Sequence, residues 1–152
     1  MGNILILYEI LEPCSIEIIR MFRLLETDGA VLFRERSVWC LKAEDICWCD
    51  VIVSVRSTSF FEWGLAKYAN SIGKYWILML DDDFLGLSND YGKDGEGYWA
   101  VRQFYLKRML QYVNCLLVVN ENLAEKYIGC LLYTSDACRR LLTCRSRWSP
   151  YH

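Results

Sequence analysis

Apolar residues gather in short runs at Ile4 to Tyr8, Ala30 to Arg34, Asp50 to Val55, Tyr75 to Leu80 and Cys115 to Val119. The runs are continuous rather than alternating, as strands buried on both faces require. Between them the spacing changes to that of helices. Ile18, Phe22 and Leu25 fall at i, i+4 and i+7 with Ile19 beside them, and Asp28-Gly29 closes that segment. Phe61, Leu65, Tyr68 and Ile72 form a second stripe, stopped by Gly73. Trp99, Val101, Phe104, Tyr105, Met109, Tyr112 and Val113 mark a third helix. Ala43 to Cys47 predicts about one helical turn in the short second crossover, and the glycine-rich stretch 86–98 reads as a loop. Strands alternating with helices predict an α/β fold, a Rossmann-like three-layer sandwich on a mostly parallel sheet of about five strands.

Composition agrees with one globular domain. The 152 residues are 54% hydrophobic and 24% charged, with a mean hydropathy of +0.12. No apolar run approaches the roughly 20 residues that span a bilayer. The start, MGNILILYEI, lacks the basic region and cleavage site of a signal peptide. A cytoplasmic setting is the expectation.

The last stretch reads differently. Its charges are nearly all Arg, and it holds the chain's one histidine. Cys130 to Ala137 resembles one reading frame of a transposase-type sequencing adapter, and Cys144 to His152 resembles the reverse complement of the matching primer. Residues 130–152 are therefore expected to be a non-native tail, and 1–129 the natural domain. A basic tail that binds nucleic acid or acidic lipid is the alternative.

Setting the tail aside removes whole classes of chemistry. Residues 1–129 carry 13 Lys and Arg against 18 Asp and Glu and contain no histidine. Cys-His and Ser-His-Asp sites are excluded there. Cys14, Cys40, Cys47, Cys49 and Cys115 form no pair of CxxC elements, so buried free thiols are expected rather than a zinc site or disulfides. The acidic body argues against nucleic acid as a partner.

Ligands of open parallel sheets bind outside the carboxyl ends of the strands. The polar residues that follow each run are Glu9, Glu12 and Ser15; then Arg56, Ser57 and Thr58; then Asp81, Asp82 and Asp83; then Asn120 and Glu121. From these the candidate substrate-binding set is Glu9, Arg56, Ser57, Asp81, Asp82, Asp83 and Asn120. Carboxylates, a guanidinium and an amide supply the directional hydrogen bonds that sugar hydroxyls need. Each also has a structural use. Ser15, Ser57 to Ser59 and Asn120 stand where helices are capped, and Arg56 can pair with the aspartates. No catalytic residue is assigned.

The segments ILILYEI, AEDICWCDVIVSVRS, LAKYANSIGKYWILMLDDDFL and VNCLLVVNENLAEKY, in that order, resemble the amino-terminal domain of a glycosyltransferase of GT-B architecture, of the retaining group four kind. The resemblance spans about residues 3–128. It implies an acceptor-side domain whose carboxy-terminal partner half holds the nucleotide-sugar donor. The acceptor would be a glycan or lipid-linked sugar, and this fragment would be inactive alone. It implies no cofactor and no metal. The turn Glu9 to Ser15 contains no glycine, unlike the glycine-rich turn many members place there.

Other readings compete. Asp81-Asp82-Asp83 also satisfies the Asp-x-Asp pattern with which metal-dependent GT-A enzymes hold a divalent cation. A non-catalytic flavodoxin-like binding module is a further alternative. A receiver module fails, because Arg56 stands where it needs an aspartate. Trp39, Trp63 and Trp99 suit a peripheral membrane contact, although interior packing is the commoner use of such residues.

Overall fold

A computed structural model describes residues 2–86, 92–131 and 140–143; of 92–96, 128–131 and 140–143 the backbone alone is described. The order of elements is β1 (Gly2–Tyr8), α1 (Pro13–Thr27), β2 (Val31–Ser37), a 3-10 turn (Val38–Cys40), α2 (Ala43–Trp48), β3 (Val51–Val55), α3 (Phe60–Ser71), β4 (Tyr75–Leu80), α4 (Gly92–Met109), β5 (Cys115–Val118), α5 (Glu121–Leu131) and β6 (Arg140–Thr143). Every strand pair is parallel, in the order β2-β1-β3-β4-β5-β6.

Both faces of this sheet are covered, which explains the continuous apolar runs. Leu5, Leu7, Ile52, Trp76, Leu78, Leu80, Leu116 and Val118 pack with residues of α2, α3, α4 and α5. Their neighbours Ile6, Val53, Val55 and Met79 point the other way, against Ile18, Ile19 and Phe22 of α1. The alternation has period two, and on the second side Val51, Ile77 and Leu117 are half-buried. Inside the larger layer, the Trp76 indole N–H donates to Ser54 Oγ at 2.7 Å, which satisfies two buried polar groups.

Two glycines stop helices as expected. Gly29 and Gly73 hold φ of 72° and 74°, a region that other residues enter at a cost. The Ala30 amide donates back to Leu25 at 3.0 Å and the Lys74 amide to Ala69 at 2.9 Å, which closes the ends of α1 and α3.

Three expectations are corrected. The stripe Phe61, Leu65, Tyr68 and Ile72 is not the inner face of α3; the helix buries Glu62, Ala66 and Ala69 and leaves Phe61, Tyr68 and Ile72 exposed. Small alanines let the backbone lie close to the sheet, and the large side chains fit only outside. The stretch 86–98 is not all loop, because α4 begins at Gly92. Residues 87–91 lie outside the described residues. Among the described residues the cysteines form no disulfide, but Cys40 and Cys47 are exposed and Cys14 is half-buried, while Cys49 and Cys115 are buried. Beside the five strands expected, Arg140–Thr143 pairs with β5 as a sixth, from the segment read as a non-native tail. The unpaired N–H and C=O groups along the outer edge of β5 are what this segment pairs with.

Among the described residues, no helix is long and apolar enough to cross a membrane.

Candidate functional site

Where strand order reverses in a parallel sheet, loops leave the carboxyl edge in opposite directions and open a crevice. Here the chain passes from β1 outward to β2, then returns to place β3 on the other side of β1. A cavity of about 110 Å3 lies at that reversal. Glu9 and Glu12 from the turn after β1, Arg56 from the end of β3 and Arg102 from α4 form its polar wall. Phe84, Tyr98 and Trp99 supply aromatic surface, with Ile10 and Val55 beside them.

Two guanidinium groups organise the polar wall. Arg102 donates from Nε to Thr58 Oγ1 at 2.6 Å and from Nη1 to Glu9 Oε1 at 3.4 Å, and it also pairs with Glu9 Oε2 and the Tyr98 hydroxyl. Burial opposes its charge, but hydrogen bonding and charge from Glu9, helped by Tyr98, outweigh that and raise its pKa. Arg102 therefore stays a cation inside a partly closed site.

Arg56 is the second. It holds φ of 58°, the one positive value for a non-glycine among the described residues. The left-handed region costs such a residue roughly 1–2 kcal/mol. Its own amide donates to Met79 O at 2.9 Å, so the kink falls while the chain is still paired to β4. Its side chain gathers carboxylates from two loops, pairing with Glu12, with Asp82 at 2.9 Å and with Asp81 at 3.1 Å. The face of Phe84 lies 5.2 Å from the guanidinium carbon.

The aspartate run therefore does not converge on one point. Asp81 and Asp82 turn to Arg56, while Asp83 pairs with Lys126 and accepts from the Gly86 amide at 3.1 Å. Among the described residues, no group of three or more His, Cys, Asp or Glu is arranged to hold a metal ion. Asp81 Oδ1 is buried and meets Arg56 by proximity, without an aligned hydrogen bond.

Beneath the site, the start of α3 encloses a carboxylate. Glu62 is buried and accepts from the amides of Thr58 at 3.0 Å and Ser59 at 3.1 Å and from the Ser59 hydroxyl at 2.9 Å. Burial raises its pKa against the opposing pull of the nearby Ser57 hydroxyl and the Ser59 hydrogen bonds. Ser59 is the N-cap of α3, in a capping box with Glu62. At Cys14, near the start of α1, burial first, then the neighbouring Asp81, pushes the thiol up to about 12, which disfavours the thiolate.

Of the residues read from sequence, Glu9 and Arg56 line the cavity together. Asp81 and Asp82 stand behind Arg56 as its counter-charges, and Asp83 faces Lys126. Ser57 is fully buried beside Glu62. Asn120 Oδ1 accepts from the Leu123 amide at 2.9 Å and so caps α5. Sequence reasoning missed Arg102, Phe84, Tyr98 and Trp99. The available signal was the four-residue spacing of Tyr98 and Arg102, which puts both on one helical face.

The chain matches no protein-family model and no curated protein at a significant level of similarity.

Proposed function

We propose that residues 1–129 are the acceptor-side domain of a GT-B type glycosyltransferase, which moves a sugar from a nucleotide-sugar donor to a glycan or lipid-linked acceptor. The observation that carries the reading is the cavity at the β1/β3 reversal, where carboxylates and guanidinium groups face aromatic rings. Sugars present hydroxyls around a ring whose C–H faces are apolar. Glu9 and Arg56 suit the hydroxyls, and Phe84, Tyr98 and Trp99 suit the faces. Arg102 fixes Glu9, while Asp81 and Asp82 hold Arg56 in place. On this reading the donor and the charge stabilisation of its leaving diphosphate belong to a carboxy-terminal half, and the chain needs no cofactor of its own.

One observation favours a second reading. The order β2-β1-β3-β4-β5 is that of flavodoxin-like sheets, which bind small ligands at the same reversal. Against a phosphate-bearing ligand, the turn Glu9 to Ser15 offers two carboxylates and no glycine. A metal-dependent GT-A mechanism would require Asp81 and Asp83 to leave Arg56 and Lys126.

The test is a titration of the chain with methyl glycosides of glucose, galactose and mannose, and separately with uridine diphosphate, followed by amide NMR. Saturable shifts confined to the amides of 9–12, 56 and 98–102 with a glycoside are expected. Shifts there with uridine diphosphate alone would contradict the acceptor assignment.

A further inference from the structure

Helix α3 carries its large side chains outward, and that inversion has no use in the core. Phe60 is 61% and Tyr68 54% exposed, while Ala66 and Ala69 face the sheet. Across the contact with α4 the apolar surface continues. Phe60 meets Tyr105 edge-on at 5.3 Å, Phe104 meets Tyr105 at 5.2 Å, and Trp39, 66% exposed, stacks on Phe61 at 6.2 Å. A shallow hollow lined by Phe60, Phe61, Gly64, Leu65 and Tyr68 lies on this face. Exposed apolar surface of this extent marks an interaction site.

Charge indicates what covers it. The body of the chain is acidic, yet residues 97–118 contain no Asp or Glu, and 60–80 contain Glu62 alone, which is buried. The same two stretches place Lys67, Lys107 and Arg108 on the exposed surface. Arg108 sits 4.4 Å over the Phe104 ring and 6.0 Å from that of Trp63, so cation and aromatic surface are interleaved. The outer face of α3 and α4 therefore combines aromatic rings and exposed aliphatic residues such as Val101 and Ile72 with basic charge of one sign.

We propose that this face docks peripherally on an anionic lipid bilayer. Aromatic rings settle at the boundary between headgroups and acyl chains, and lysines and arginines beside them meet acidic headgroups. A symmetric pairing of two copies would set Lys67, Lys107 and Arg108 against one another, and among the described side chains of α3 and α4 no exposed carboxylate compensates them. The inference goes beyond the sugar-transfer reading and does not rest on it.

Co-sedimentation of the full chain with vesicles tests it, using phosphatidylcholine alone and phosphatidylcholine mixed equally with phosphatidylglycerol. Binding to the mixed vesicles, weak binding to the neutral ones and loss with salt are expected. Lys67→Gln and Lys107→Gln should each weaken binding about fivefold. Trp39→Ser and Phe61→Ser, both at exposed positions, should weaken it further while leaving the circular dichroism spectrum unchanged. Arg139, Arg140, Arg145 and Arg147 of the tail attract acidic lipid by themselves, so a variant with all four changed to Gln is the control and should retain binding. The proposal is overturned by absent binding, by binding that only the tail variant abolishes, or by binding indifferent to the four face substitutions. It is equally overturned by a dimer in sedimentation equilibrium that Phe61→Ser dissolves, which would assign the face to a second copy.

Discussion

Arg56 and Asp82 meet at 2.9 Å across the ends of two neighbouring strands, and the arginine reaches that position from a left-handed backbone. One guanidinium therefore resolves most of the repulsion in the run Asp81-Asp82-Asp83, and Lys126 resolves the rest. Strain of this kind persists where the surroundings over-determine it.

Arg56→Gln should lower the free energy of unfolding by about 2 kcal/mol, the order of a lost charged hydrogen-bond set. Arg56→Gly removes the same charge but relieves the backbone, and should be about 1 kcal/mol more stable than the Gln variant. Urea unfolding of the three proteins checks both; equal midpoints for Gln and Gly would show that φ at 56 carries no strain.

Ser54 and Trp76 form a buried polar pair between β3 and β4. Ser54→Ala leaves the indole N–H without that acceptor and should cost about 1–3 kcal/mol. A midpoint within error of the parent would mean that the indole finds another partner.

Glu62 gives a pH dependence with a definite sign. Its folded pKa is raised by burial, so the native chain binds this proton more tightly than the unfolded one. Its contribution is fully present below the unfolded value and is lost as pH rises through the folded one. Stability should therefore decline with rising pH in the weakly acidic range. Glu62→Gln, which keeps the size and one acceptor oxygen, should flatten that decline; an unchanged slope in a denaturation series would assign it to other groups.

Adding manganese or magnesium should leave the melting temperature unchanged, because Asp81 and Asp82 are committed to Arg56 and Asp83 to Lys126. A saturable rise that Asp83→Asn abolishes would restore the metal-binding reading of the triad.

β1, β3, β4 and β5 were legible as short apolar runs, β2 only in its apolar first half because its second half is polar, and the helix ends because Gly29 and Gly73 occupy left-handed turns. The facing of α3 was not legible. Phe61, Leu65, Tyr68 and Ile72 share one helical stripe and Glu62, Ala66 and Ala69 another, and periodicity alone does not say which turns inward. Glu9 and Arg56 were found because strand ends locate the carboxyl edge. Arg102 was missed because its role depends on how α4 lies over β1, a relationship between residues 93 apart in the chain.

The most direct test of the sugar-transfer account is the uninterrupted gene read past codon 129. The account predicts a second Rossmann-like half carrying a basic residue and paired glutamates for the donor diphosphate. A natural stop codon near that point, or an unrelated domain, would contradict it and leave a small α/β binding module.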